Sequence, residues 1–337
     1  MRGDARYASG MKYPVLLLTL ALLAGLRSGK AQPPPEYMAY HQQMIQAEEL
    51  FAQHHYTAAL AGFEHVLNAY DYVFLRDCQV TTQLALYVGD QAKAYYWLRR
   101  GILNGWRLSD IKKHRFLKPL RVGLAWDSVQ RDYATLRSRY EHTLQQPLRA
   151  EVLAMARKDQ QLALRNLLQL SKRAKERFLT RRFVPHTEQQ IARVAHLIRT
   201  YGYPGEKLIG NRTSMQRILS HHNSISSAYA QRDTLYPQLQ PELWQAVRRG
   251  ELAPADYAVI EDWYVVSKSD GQQAAYGYLN ALTTQELPRA NARRHGIGLR
   301  SVELRNKLIE VQTETGMDLV LDGVFWVKGK LPIVPHR

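Results

Sequence analysis

Four residues hold the chemistry that this sequence could perform: Glu151, Asp159, His222 and Asp262. A histidine between carboxylates can serve as a general base or as a metal ligand. Glu151 and Asp159 are eight residues apart, so on one helix they stand about 80° out of line. His221 and His222 are adjacent, so on a helix they point about 100° apart and cannot both be ligands on one face. No His-x-x-x-His or His-Glu-x-x-His spacing occurs, and the twelve histidines are scattered along the chain. No metal site and no cofactor are expected on these grounds. The preferred reading of the four residues is a histidine hydrogen-bonded to a carboxylate in a structural network. An atypical enzyme built on His222 with Asp159, Glu151 or Asp262 is the alternative.

Searches for a nucleophile or a phosphate cradle find nothing stronger. No Gly-x-Ser-x-Gly, Walker loop or Gly-x-Gly-x-x-Gly is present, and Gly296-Ile-Gly298 is too short to mean phosphate binding. Cys78 is the only cysteine of the 337 residues, which excludes an intramolecular disulfide and a Cys-rich zinc site. Its spacing suits a small apolar residue inside a helix.

The elements that must position these groups read as helices. Apolar residues recur every three or four positions over 36–54 and 57–69, with Ala47, Leu50 and Phe51 marking one stripe and Ala59, Phe63, Val66 and Leu67 the next. Ala47-Glu-Glu-Leu50-Phe51 with Tyr56, Ala59 and Phe63 resembles a tetratricopeptide (TPR) repeat. A second copy runs through Leu84-Ala85-Leu86-Tyr87, Gly89, Ala94, Leu98 and Gly101. Ala59 and Ala94 are 35 residues apart, against a TPR period of about 34. A third unit is read over Leu108–Tyr140, with Phe116, Leu120, Trp126 and Tyr133 as core positions. Further on, Thr187 and Gln190 have the spacing of a capping box, and Gly202 with Pro204 closes that helix. Pro241 and Pro254 each read as a helix start, and Ser301 as a cap. Asp322-Gly323, between Leu319-Val-Leu321 and Val324-Phe-Trp-Val327, is the pattern of one small terminal β-hairpin. The expected fold class is all-α: TPR-like hairpins over residues 32–147 packed on a helical region over 148–337.

Residues 148–315 are similar to an uncharacterised bacterial family, known only as a domain of unknown function that often follows TPR-like hairpins. The resemblance is carried by Glu151 to Asp159-Gln160, Tyr201-Gly-Tyr-Pro204, Ile209-Gly210 and His221-His222. It continues through Gly250-Glu251, Pro254, Tyr257-Ala258, Asp262, Tyr276-Gly277 and Asn291 to Leu299. Where that family tends to place polar groups, this chain has Ala163, Trp263 and Tyr278-Leu279. The resemblance therefore implies that any polar site of the family is partly missing here.

The first residues and the charge bear on location. Arg2, Arg6 and Lys12 precede an apolar run of 13 residues, Pro14–Leu26, followed by Ser28, Gly29 and Ala31. This is the pattern of a cleavable signal over 1–31, too short to span a bilayer, and no later segment approaches transmembrane length. The expected location is periplasmic or extracellular. The formal charge is +16, and residues 148–199 alone hold twelve bases against four acids. At their centre Lys172, Arg173, Lys175 and Arg177 spread around a helix instead of forming one stripe. No aromatics interleave with them, so nucleic acid is not expected; an anionic envelope surface is. The leading functional expectation is an exported, non-catalytic binding or scaffold protein of the cell envelope. Its protein or peptide partner is expected at Phe51, Tyr56, Tyr95 and Trp97 and at the basic segment.

Overall fold

The computed structural model describes residues 36–212, 215–321, 327 and 329–335. The expected signal (1–31) lies outside these residues, as does most of the Asp322-Gly323 hairpin.

The fold is all-α. Four helices open it: α1 (Tyr37–Ala52), α2 (Tyr56–Ala69), α3 (Leu75–Tyr87) and α4 (Gln91–Leu103). They pair as two hairpins, α1 with α2 and α3 with α4. Small residues allow the close approach: Ala59 and Ala94 are fully buried. A Cβ on Gly62 would come within 3.1 Å of the Ala47 Cβ, and one on Gly101 within 2.7 Å of the Trp106 ring.

The segment that follows is less regular than a third hairpin. The short α5 (Leu108–Lys113) and a 3-10 turn at Lys118–Leu120 precede the long α6 (Gly123–Thr143). Leu120 and Trp126 are buried there, and Phe116 and Tyr133 pack on the same core from its edge.

Helices α7 (Gln146–Leu167) and α8 (Lys172–Phe178) come next, then a π turn over Leu179–Phe183 that runs directly into α9 (Val184–Tyr201). This continuity replaces the capping box expected at Thr187. The helix has already begun, and the Thr187 hydroxyl donates back to the Val184 carbonyl at 3.0 Å. Gly202 ends α9 with φ 88°.

The remaining helices are α10 (Glu206–Ile209), α11 (Met215–Asn223), α12 (Ser227–Arg232), α13 (Leu235–Arg248), α14 (Pro254–Lys268), α15 (Leu287–Gly296) and α16 (Val302–Thr315). Pro254 opens α14, and the Ser301 hydroxyl caps α16 by accepting from the Leu304 N–H at 3.1 Å. Pro241 lies inside α13, which starts earlier because the Asp233 carboxylate accepts from the Leu235 and Tyr236 N–H groups at 2.9 and 3.3 Å. Two short strands, β1 (Leu282–Thr283) and β2 (Ile333–Val334), pair in parallel with Leu282 opposite Ile333. Among the described residues no helix is long and apolar enough to cross a membrane.

Two large apolar cores result. One is built from α1–α6, with Leu308, Val311, Met317 and Leu319 returning to it from the far end of the chain. The other runs from Leu148 to Val302 and includes Leu331. Burying apolar surface in this way is the main favourable term of folding. Cys78, fully buried in the first core, has its thiol pushed well up by that burial.

Candidate functional site

The four chemistry-bearing residues do not converge. Glu151 pairs with Arg193 at 2.5 Å on the surface. The Asp262 carboxylate is buried and accepts the N–H groups of Ala275, Tyr276 and Tyr278 at 3.1, 2.6 and 2.7 Å. Burial raises its pKa against these three donors. Beside it the buried Arg294 donates to the carbonyls of Tyr276 and Arg300 at 2.6 and 2.7 Å. Asp262 and Arg294 thus fix a loop: their polar atoms are taken up by backbone groups and, for the second Arg294 Nη, by the Tyr278 hydroxyl at 3.4 Å.

His222 meets Asp233 at 3.2 Å, with the Tyr229 ring edge-on at 5.4 Å. Its neighbour His221 reaches Asp159 instead, at 2.5 Å, and His186 lies 3.7 Å from the other oxygen of that carboxylate. The 100° step between adjacent helix residues sends the two histidines to different carboxylates. Asp159 is fully buried between α7, α9 and α11. These are His–carboxylate pairs inside helix packing. Among the described residues no group of His, Cys, Asp and Glu is arranged to hold a metal ion.

The hairpin aromatics divide. Phe51 and Trp97 are core, the Trp97 N–H donating to Glu64 at 3.0 Å. The Tyr95 hydroxyl donates to the Leu120 carbonyl at 2.6 Å. Tyr56 stacks edge-on with Phe51 and Tyr87, at 5.5 and 4.9 Å. The basic residues Lys172, Arg173, Lys175 and Arg177 are all exposed.

A different place gathers polar groups around a cavity. An opening of about 220 Å³ lies where α1, α3, Glu206, the start of α14 and the Gly298–Arg300 turn meet. Met44, Phe74 and Leu299 give it apolar walls. Glu48, almost fully buried, accepts from Arg300 at 2.6 and 2.8 Å and from Arg76 at 2.7 Å. Burial works against its charge, but Arg300 and then Arg76 outweigh it and hold the carboxyl below the usual range. Asp77 accepts from the Tyr40 hydroxyl at 2.5 Å and from Arg76 at 2.9 Å. The Glu206 carboxylate accepts the Leu75 N–H at 2.6 Å, and burial pushes its pKa up to about 8.

His41 completes the wall. Its ring packs edge-on to Tyr40 at 5.4 Å and tilted against Phe74 at 5.8 Å. Burial and the nearby Arg300 push it down to about 3, and its Nε2 is buried with no hydrogen-bond partner among the described residues. Gly298, at φ 72°, lies flat against it; a Cβ there would come 2.6 Å from the His41 Cβ. A cavity that combines apolar walls, convergent polar groups and shifted pKa values has the character of a binding site.

Sequence reasoning missed this site, yet one signal marks it. Glu48 falls on the buried face of α1 with Met44, Ala47 and Phe51, and Asp77 on the buried face of α3 beside Cys78 and Thr81. A carboxylate on an apolar stripe needs buried partners.

Next to the cavity the hairpins hold the non-helical segment that follows α16. The Gln83 side chain donates to the Asp318 carbonyl and accepts the Asp318 N–H, both at 2.7 Å. The Arg76 Nε donates to the Leu319 carbonyl at 3.2 Å. Met317 and Leu319 are buried in the hairpin core. No family model, curated protein or solved structure matches this chain.

Proposed function

We propose that the protein is an exported, non-catalytic binding protein of the cell envelope. It takes a protein or peptide partner at the joint between TPR-like hairpins and the C-terminal helices. The grip of Gln83 and Arg76 on the 318–319 backbone carries the reading. A side chain that pairs with both the N–H and the C=O of one residue, as Gln83 does with Asp318, holds a chain segment through its backbone and so without regard to its sequence. The mixed polar and apolar cavity beside that grip offers space for a partner's side chain. Export rests on the basic and apolar pattern of residues 1–31, and one lone buried cysteine suits a fold held by helix packing.

A photo-crosslinking residue in place of Ile45, on the cavity wall, tests this. A discrete adduct with an envelope protein, not seen with the same residue at Gln161, is the expected result. Equal labelling at both positions would overturn the reading.

A second reading, an atypical enzyme, draws on the Asp159–His221 pair, because a carboxylate at 2.5 Å is how a general-base histidine is oriented. Screening hydrolase and transferase substrates with wild type and His221→Gln separates the two. Turnover lost in the variant would replace the binding reading.

A further inference from the structure

The end of α7 carries a feature that helix packing does not explain. Its first half is fastened into the second core through Leu148, Val152 and Ala156. Its last turn is not. Leu164, Leu167 and Leu168 are 50, 69 and 74% exposed, and Leu170 beyond them is fully exposed. Leu164, Leu167 and Leu168 have i, i+3, i+4 spacing and so lie on one face. The opposite side is occupied: Leu162 and Ala163 pack with Phe178, Leu179, Phe183, Ile225 and Tyr229 in a small third cluster. The leucines are therefore held out from an anchored base.

Charge surrounds them. Between residues 164 and 182 there are seven bases, Arg165, Lys172, Arg173, Lys175, Arg177, Arg181 and Arg182, against one acid, Glu176. All seven are exposed, and none is ion-paired among the described residues. Helix α8, capped by Ser171, has no fully buried residue and meets the third cluster through Phe178 at its end. Contiguous exposed leucines on a soluble fold mark an interaction site. Unpaired cations beside them select an anionic partner and disfavour a second copy of the same tip, which would bring two sets of cations together. The nearby aromatics Phe178 and Phe183 pack in the third cluster, so no stacking platform for bases is offered.

We propose that the α7–α8 tip docks on an anionic lipid bilayer, the leucines entering the headgroup boundary while the lysines and arginines meet lipid phosphates. Neither contribution alone holds a protein stably on a membrane; stable anchoring takes an apolar and a polybasic signal together. The tip shares no residue with the cavity, so this docking stands or falls apart from the partner site there.

Co-sedimentation of the full chain with phosphatidylcholine vesicles, with and without phosphatidylglycerol, tests it. Wild type is expected to bind only the phosphatidylglycerol vesicles and to be released by high salt. The partition is expected to fall by on the order of tenfold or more for Lys172→Gln/Arg173→Gln/Lys175→Gln/Arg177→Gln and for Leu164→Ser/Leu167→Ser/Leu168→Ser. Circular dichroism checks the fold of both variants, and Leu167→Trp gives a separate reading: its fluorescence should shift blue with the anionic vesicles alone. Equal binding to both vesicle types would overturn the proposal, as would binding unaffected by both sets of substitutions. So would serine substitutions that abolish a dimer in solution while wild type ignores vesicles.

Discussion

Glu48 and Arg300 stand 252 positions apart in the chain and meet through a two-pronged ion pair, at 2.6 and 2.8 Å. This pair fastens α1 to the turn before α16, on the wall of the polar cavity. Breaking a buried pair from one side leaves an uncompensated charge, whereas removing both partners does not. Arg300→Met leaves Glu48 only Arg76 to balance it, so a cost of about 1–3 kcal/mol is expected in chemical denaturation. The double variant Glu48→Met/Arg300→Met should lose clearly less than the sum of the two single variants. Strict additivity would mean that the pair is not coupled.

Gln83 makes a second long-range tie, to Asp318. Gln83→Leu keeps the volume and removes both hydrogen bonds. The stranded Asp318 N–H and C=O should cost about 1–3 kcal/mol. Amide exchange should quicken at Asp318, whose N–H loses its acceptor, and in the adjoining Leu319. Unchanged exchange there would mean that the Arg76 and Gln312 bonds to Leu319 and the burial of Met317 and Leu319 hold the segment without Gln83.

The helices were readable because each buries one stripe, and the spacing of Phe51, Ala59, Phe63, Ala94 and Leu98 states that stripe directly. Several helix starts were not. The capping-box spacing at Thr187 was overridden by a π turn that extends α9 backward, and Pro241 was absorbed because Asp233 had already opened α13. The cavity was hidden for another reason. Its residues come from α1, α3, Glu206, the start of α14 and the Gly298–Arg300 turn, and no local pattern joins such distant segments. His221 and His222 show the limit within one helix. The step between them says that they face different ways, but only the packing of α7 beside α11 decides which one receives Asp159.

Asp262 holds three backbone N–H groups of the loop over 275–278. An amide in its place has one acceptor oxygen and presents an NH2 to donors. Asp262→Asn should therefore destabilise the fold by about 3 kcal/mol, the scale of hydrogen bonds to a charged group. The loss should be seen in thermal unfolding, with Tyr276 and Tyr278 becoming reactive to solvent probes. A variant as stable as wild type would show that Arg294 alone organises the loop.

Two cavity residues set opposite limbs of a pH profile. His41 is pushed from 6.5 down to about 3 in the folded chain. Below pH 6.5 the unfolded chain takes up a proton that the folded one refuses, so stability falls as the pH drops. Glu206 is pushed from 4.5 up to about 8. Between those values the folded chain keeps a proton that the unfolded one releases, so stability falls as the pH rises from 4.5 toward 8. Glu48, held below 4.5, adds its own loss in more acid solution. Melting temperature should accordingly peak in weakly acid solution and decline on both sides. Glu206→Gln, which keeps an acceptor for the Leu75 N–H, should flatten the limb toward neutral pH and leave the acid limb standing. His41→Leu should do the reverse: with Glu206 unopposed, stability should keep rising as the pH falls from 8 to 4.5, and the loss below 4.5 should weaken. A neutral limb equally steep in Glu206→Gln would place its proton elsewhere, and the cavity would then lose its buried acid.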